Sequence, residues 1–132
     1  MYEELINRVM DLLLSGESNI LHILKKQFQN CNIKKIEETG SGVYVDFEIK
    51  DQSLRLEFDD TKGSFAFGDV YGTVDNFFGA VGFVLFVKNG YITTLEGYSN
   101  IPSSWCKVSA DIPLGYDEEK RNIAELEKTW RI

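Results

Sequence analysis

The chain has little of what metal centres and most catalytic motifs are built from. It holds one histidine, His22, two cysteines, Cys31 and Cys106, and only two prolines. Transition-metal sites draw on His and Cys at short, recurring spacings, and here those residues are isolated, so no metal or other cofactor is expected. A domain of this size does not need a disulfide, and both cysteines read as buried or half-buried thiols. Long apolar runs are also missing, none approaching the roughly 18 residues of a membrane-spanning helix. The N-terminus carries Glu3 and Glu4 where a secretory signal is basic, so a soluble, cytoplasmic chain is expected. Excess positive charge is absent too. The net charge is −7, and phosphate backbones need a basic face, so nucleic acid is not an expected partner.

What remains is enough for one core. The chain has 132 residues, of which 43% are hydrophobic and 13% aromatic, which suits a single domain over residues 1–132. The negative charge is concentrated. Residues 1–36 carry four acids and five bases, and the segment from 61 onward is only slightly acidic. Residues 37–60 carry eight acids against two bases. Such a block suits a basic protein partner.

The segment Gly79 to Tyr98, GAVGFVLFVKNGYITTLEGY, is the clearest structural signal. Asn89-Gly90 between two apolar runs predicts a two-residue hairpin turn, because both positions need positive φ. Continuous alternation from that turn pairs Lys88 with Tyr91, Phe86 with Thr93, Val84 with Leu95 and Phe83 with Glu96. Both faces of the hairpin then carry large apolar groups and need cover.

Residues 2–14 read as a helix ended by Ser15-Gly16, and Ser18 is placed to cap a second helix reaching Asn30. His22 falls on its polar face and reads as a solvated residue. From Ile33 the period changes to two. Ile33–Glu38 predicts a strand, Thr39-Gly40-Ser41-Gly42 a plain β-turn, and Val43–Ile49 a second strand. Leu54, Leu56 and Phe58 predict a third, paired with the second through a short turn. Phe65–Phe67 starts another strand with a bulge or sheet edge at Gly68-Asp69. Trp105–Ile112 predicts an edge strand, and Pro113-Leu114-Gly115 a break. Asp117 then caps a final peripheral helix with Ile123, Leu126 and Trp130 on one stripe. The fold class is α+β: two N-terminal helices on an antiparallel sheet of about five or six strands.

Chemistry is sparse. Asp46 and Glu48 share a strand face and read as exposed charge. Asp69 stands where alternation fails, and Glu96 is an isolated acid in an apolar hairpin. If their strands converge, these two carboxylates form an acid-base pair.

The Ile-Leu-rich helix near His22, Thr39-Gly40-Ser41-Gly42-Val43, Gly68-Asp69-Val70, Gly82-Phe83-Val84-Leu85-Phe86-Val87 and Leu95-Glu96-Gly97-Tyr98 carry a resemblance. Over roughly residues 20–98 the chain resembles a family of small uncharacterised bacterial α+β proteins. The resemblance implies a bacterial origin and a shared α+β fold, and no activity.

Three functions are expected in order. First is a bacterial immunity protein that neutralises a toxin domain by direct binding, with Asp46, Glu48, Asp59 and Asp60 facing the partner. Second is a small enzyme or small-molecule binder using Asp69 and Glu96. Third is a homo-oligomer subunit joined through the apolar hairpin.

Overall fold

Helix α1 (Tyr2–Leu13) and helix α2 (Asn19–Gln29) form first in the chain, each with one apolar face. α1 buries Leu5, Ile6, Val9, Met10 and Leu13, and α2 buries Ile20, Leu21 and Leu24. The corner between them uses Gly16 at φ +132, a conformation that side chains resist. Ser18 is extended, and its Oγ accepts the Leu21 N–H at 3.3 Å, which caps α2. His22 lies exposed on the outer face of α2. The computed structural model describes residues 2–57 and 61–131.

Six strands follow: β1 (Cys31–Glu38), β2 (Gly42–Ile49), β3 (Phe65–Val74), β4 (Phe77–Lys88), β5 (Tyr91–Ser99) and β6 (Leu114–Tyr116). They make one antiparallel sheet in the order β1-β2-β5-β4-β3-β6. Helix α3 (Ile123–Trp130) closes the chain, and the fold is α+β as the sequence predicts. Val43, Val45, Phe67, Val70, Phe83, Leu85 and Leu95 point to the helical side and are buried there. Trp130 is fully buried, its ring 5.6 Å from that of Phe65 and 4.6 Å from that of Phe67. This anchors α3 more deeply than a peripheral stripe suggests.

The Asn89-Gly90 turn is present, with φ 52 and φ 83 at the two positions. Lys88 pairs with Tyr91 and Val87 with Ile92. The expected register fails after that, because Thr93 is an extra residue in β5. Phe86 pairs with Thr94, Leu85 with Leu95, Val84 with Glu96 and Phe83 with Gly97. One inserted residue exchanges the faces of everything beyond it. The bulge therefore moves Leu95 onto the buried side opposite Leu85 and leaves Glu96 on the other side. The hairpin is apolar on one face and mixed on the second.

Gly90 is buried at a backbone junction. Its N–H donates to Gly63 O at 2.8 Å, and its carbonyl accepts from Leu56 N at 2.9 Å and Gln27 Nε2 at 2.8 Å. Gly90→Val is expected to cost about 1–3 kcal/mol, since a β-branched residue is strained at positive φ. Chemical denaturation measures it, and an unchanged midpoint would contradict this role.

Three other expectations are corrected. Leu54 and Leu56 do not form a strand, because the free edge of β2 is taken by β5. Gln52–Leu54 is instead a single 3-10 turn, capped by Asp51 through the Ser53 N–H at 3.0 Å. Phe58 lies outside the described residues. Trp105–Lys107 is another 3-10 turn, and the edge strand is β6, at the position of the expected break. Asn122, not Asp117, caps α3, its side chain accepting the Glu125 N–H at 3.1 Å. A second two-residue turn at Asp75-Asn76, φ 52 and φ 68, joins β3 to β4.

Candidate functional site: the open face of the sheet

The two suspected carboxylates come to opposite sides of the sheet, so the structure does not bring Asp69 and Glu96 together. Asp69 sits in the expected bulge, where β3 slips its register between Phe67 and Val70. Its carboxylate is buried on the helical side. Arg121 Nε donates to its Oδ2 at 2.7 Å and Arg121 Nη2 to its Oδ1 at 3.0 Å. The same guanidinium donates to Leu13 O at 2.7 Å and to Ser15 O. Tyr116 lies under it, 4.9 Å from guanidinium carbon to ring centre, and donates its hydroxyl to Leu12 O at 2.6 Å. The carbonyls at the end of α1, orphaned by helix geometry, thus find donors from the C-terminal segment. Asp69 balances the charge of the arginine that supplies them. This is a structural clamp.

Glu96 stands on the face that no helix covers. Side chains of Tyr44, Asp46 and Glu48 on β2 share that face with Thr94, Glu96 and Tyr98 on β5 and with Val84 and Phe86 on β4. Tyr44 donates its hydroxyl to Glu96 Oε2 at 3.2 Å, and Thr94 Oγ1 donates to Asp46 Oδ1 at 2.9 Å. The Glu96 carboxylate pushes the Tyr44 phenol above its ordinary pKa, with a smaller push from Glu37. Burial does the same to Tyr98, helped by the neighbouring Tyr71.

Aromatic side chains run across this face. Tyr98 lies over Gly82, where an added Cβ would come within 2.5 Å of the tyrosine ring. Tyr71 follows on β3, its ring 6.1 Å from that of Phe78 in an edge contact. Tyr44, Phe86 and Phe78 are 41%, 38% and 53% exposed, which leaves apolar surface in contact with water. A shallow groove of about 630 Å³ opens along the β2–β5–β4 end, between Glu37, Tyr44, Asp46, Phe86, Lys88 and Thr94.

Of the four expected partner-facing acids, Asp46 and Glu48 lie on this open face, while Asp59 and Asp60 lie outside the described residues. The parity of β2 already places Tyr44 beside Asp46 and Glu48. Nothing local announces Tyr98 or Phe86 as its neighbours, because the Thr93 bulge sets which face they meet. Cys31 and Cys106 are free thiols, the first half-buried as expected and the second exposed, which corrects its expected burial. Burial pushes the Cys31 thiol above its ordinary value. Among the described residues, no three His, Cys, Asp or Glu side chains converge as metal ligands, and no helix is long and apolar enough to cross a membrane.

No family model, no curated protein and no solved structure matches the chain.

Proposed function

We propose that the protein is a binding protein whose open sheet face engages a basic partner protein, in the manner of an immunity protein neutralising a toxin domain. One observation carries this reading: an uncovered sheet face joins exposed aromatic rings to a cluster of carboxylates. Protein interfaces draw their energy from aromatic side chains that become desolvated, and charge around them steers the encounter. Tyr44 and Phe86 supply the first element. Asp46, Glu48, Glu96 and Glu37 supply the second, against Lys35 and Lys88 at its margins.

Toxins that attack nucleic acid carry basic surfaces, which an acidic inhibitor can cover. The enzymatic alternative loses its geometric basis, since Asp69 is held by Arg121 on the far side of the sheet from Glu96.

Co-expression with a toxin domain encoded beside this chain tests the reading. Wild type is expected to restore growth, and a Tyr44→Ala/Phe86→Ala variant is expected to fail while remaining folded. Equal rescue by that variant would move the interface elsewhere. Turnover of a small molecule by the isolated chain, abolished by Glu96→Gln, would replace binding with catalysis.

A further inference from the structure

The sheet ends in two edges of very different character. On one side β6 is only three residues long, too short to template another strand. On the other side β1 runs for eight residues, and nearly all of it is exposed. Among the described residues its one strand neighbour is β2, which leaves the outer hydrogen-bonding edge of β1 without a strand partner there. Thr39 N–H donates to Gly42 O at 3.0 Å, which sets the alternation of the β1–β2 ladder. Glu37 and Lys35 are then hydrogen-bonded to β2, and the N–H and C=O of Ile36 and Glu38 point outward.

Charges on an edge strand usually prevent pairing. Here their order does the opposite. The segment Lys34-Lys35-Ile36-Glu37-Glu38 places two cations before Ile36 and two anions after it. When two copies run antiparallel with Ile36 opposite Ile36 on a two-fold axis, Lys35 faces Glu37 and Lys34 faces Glu38 of the other copy. A parallel or shifted alignment loses that match.

The faces agree as well. Lys35 and Glu37 sit opposite Asp46 and Tyr44, on the open side of the sheet. Ile36 sits opposite Val45, on the helical side, and is 36% exposed in the single chain. Pairing would cover it with its own symmetry mate. Within one copy Lys35 Nζ lies 3.4 Å from Glu37 Oε2, and both side chains are more than half exposed. Such a surface pair is weak and can be exchanged for cross-strand partners. The extra residue of the β-bulge between Ile33 and Lys35 is Lys34, so the regular edge is Lys35–Glu38, Lys34 meets Glu38 of the other copy from the bulge, and the association is dynamic.

We infer that β1 is a self-recognition edge, and that a second copy of this chain adds to it in antiparallel register centred on Ile36. The resulting sheet runs continuously through both copies, and the open faces of the two lie side by side. This edge shares Glu37 with the partner-binding groove and Lys35 with its margin, and the inference stands without the toxin reading.

Sedimentation of the full chain from micromolar to millimolar concentration reads it out. Wild type is expected to pass from monomer to dimer, less readily as salt is added. Lys34→Glu/Lys35→Glu and Glu37→Lys/Glu38→Lys variants each turn four cross-strand attractions into repulsions, and each is expected to raise the dimer dissociation constant about tenfold or more. Mixing the two variants is expected to restore a dimer made of one copy of each. Hydrogen exchange on wild type needs no substitution: the Ile36 and Glu38 amides are expected to slow as concentration rises. A wild type that stays monomeric at millimolar concentration would overturn the inference. So would dimers insensitive to both reversals, or amides of Ile36 and Glu38 that exchange alike at every concentration.

Discussion

Arg121→Ala is expected to destabilise the protein by about 3–5 kcal/mol, the usual result of leaving one member of a buried ion pair alone. The Arg121 and Asp69 side chains are 7% and 9% exposed, so water cannot take the arginine's place. Removing it strips Asp69 of both its donors and leaves the Leu13 and Ser15 carbonyls without theirs. The end of α1 then loses two of its hydrogen bonds to the C-terminal segment and keeps the one from Tyr116 to Leu12 O. Denaturant unfolding measures the loss. An Asp69→Leu/Arg121→Met variant is expected to be much milder, because it removes both charges at once and leaves no buried ion behind. A single Arg121→Ala variant as stable as wild type would show that the clamp is not what holds α1 to the sheet.

Gln27→Ala is expected to cost about 2–4 kcal/mol, through lost hydrogen bonds and a cavity together. Gln27 is completely buried, yet both polar atoms of its amide are bonded to backbone. Its Nε2 donates to Leu54 O at 2.9 Å and Gly90 O at 2.8 Å, and its Oε1 accepts Ile92 N–H at 2.8 Å. One amide thus joins α2 to the hairpin turn and to the 3-10 segment. Its removal orphans the Ile92 N–H beside the Thr93 bulge, where the ladder offers no substitute. Unfolding by urea, with hydrogen exchange at Ile92, checks both parts. Fast exchange at Ile92 without global loss would show a local rather than a cooperative role.

Features of short range were readable in the sequence, and those made by distant neighbours were not. Asn89-Gly90 and Ser18 announce their turn and cap because the residue itself satisfies the local backbone. The alternation Val43, Val45, Phe47 against Tyr44, Asp46, Glu48 assigns the two faces of β2 correctly, and the buried face is the helical one. Thr93 has no such signature, and a threonine in a strand gives no warning that it is the extra residue. The shift carries on to Glu96, which continuous alternation places opposite Phe83 and which lies opposite Val84. Leu54, Leu56 and Phe58 have strand parity, but no edge of β2 is left for them. Gln27 reads as a polar helix residue, and only the hairpin turn 63 residues away makes it core. Arg121 has no motif at all, since its partner Asp69 is 52 residues distant.

The proposed interface on the open face is likewise assembled from distant segments. Its rings and carboxylates come from neighbouring strands, chiefly those gathered by the order β2-β5-β4, and no single segment contains the surface. In the proposed interface, charge on this face would act at long range, on how quickly a basic partner arrives, and be screened by salt. The most direct measurement is the association rate with a basic toxin domain as a function of ionic strength. It compares wild type with an Asp46→Lys/Glu48→Lys/Glu96→Lys variant whose folding is checked by unfolding. The expected result is slower association at low salt and a flatter salt dependence for the variant. Equal rates and equal salt slopes would contradict an interface on this face.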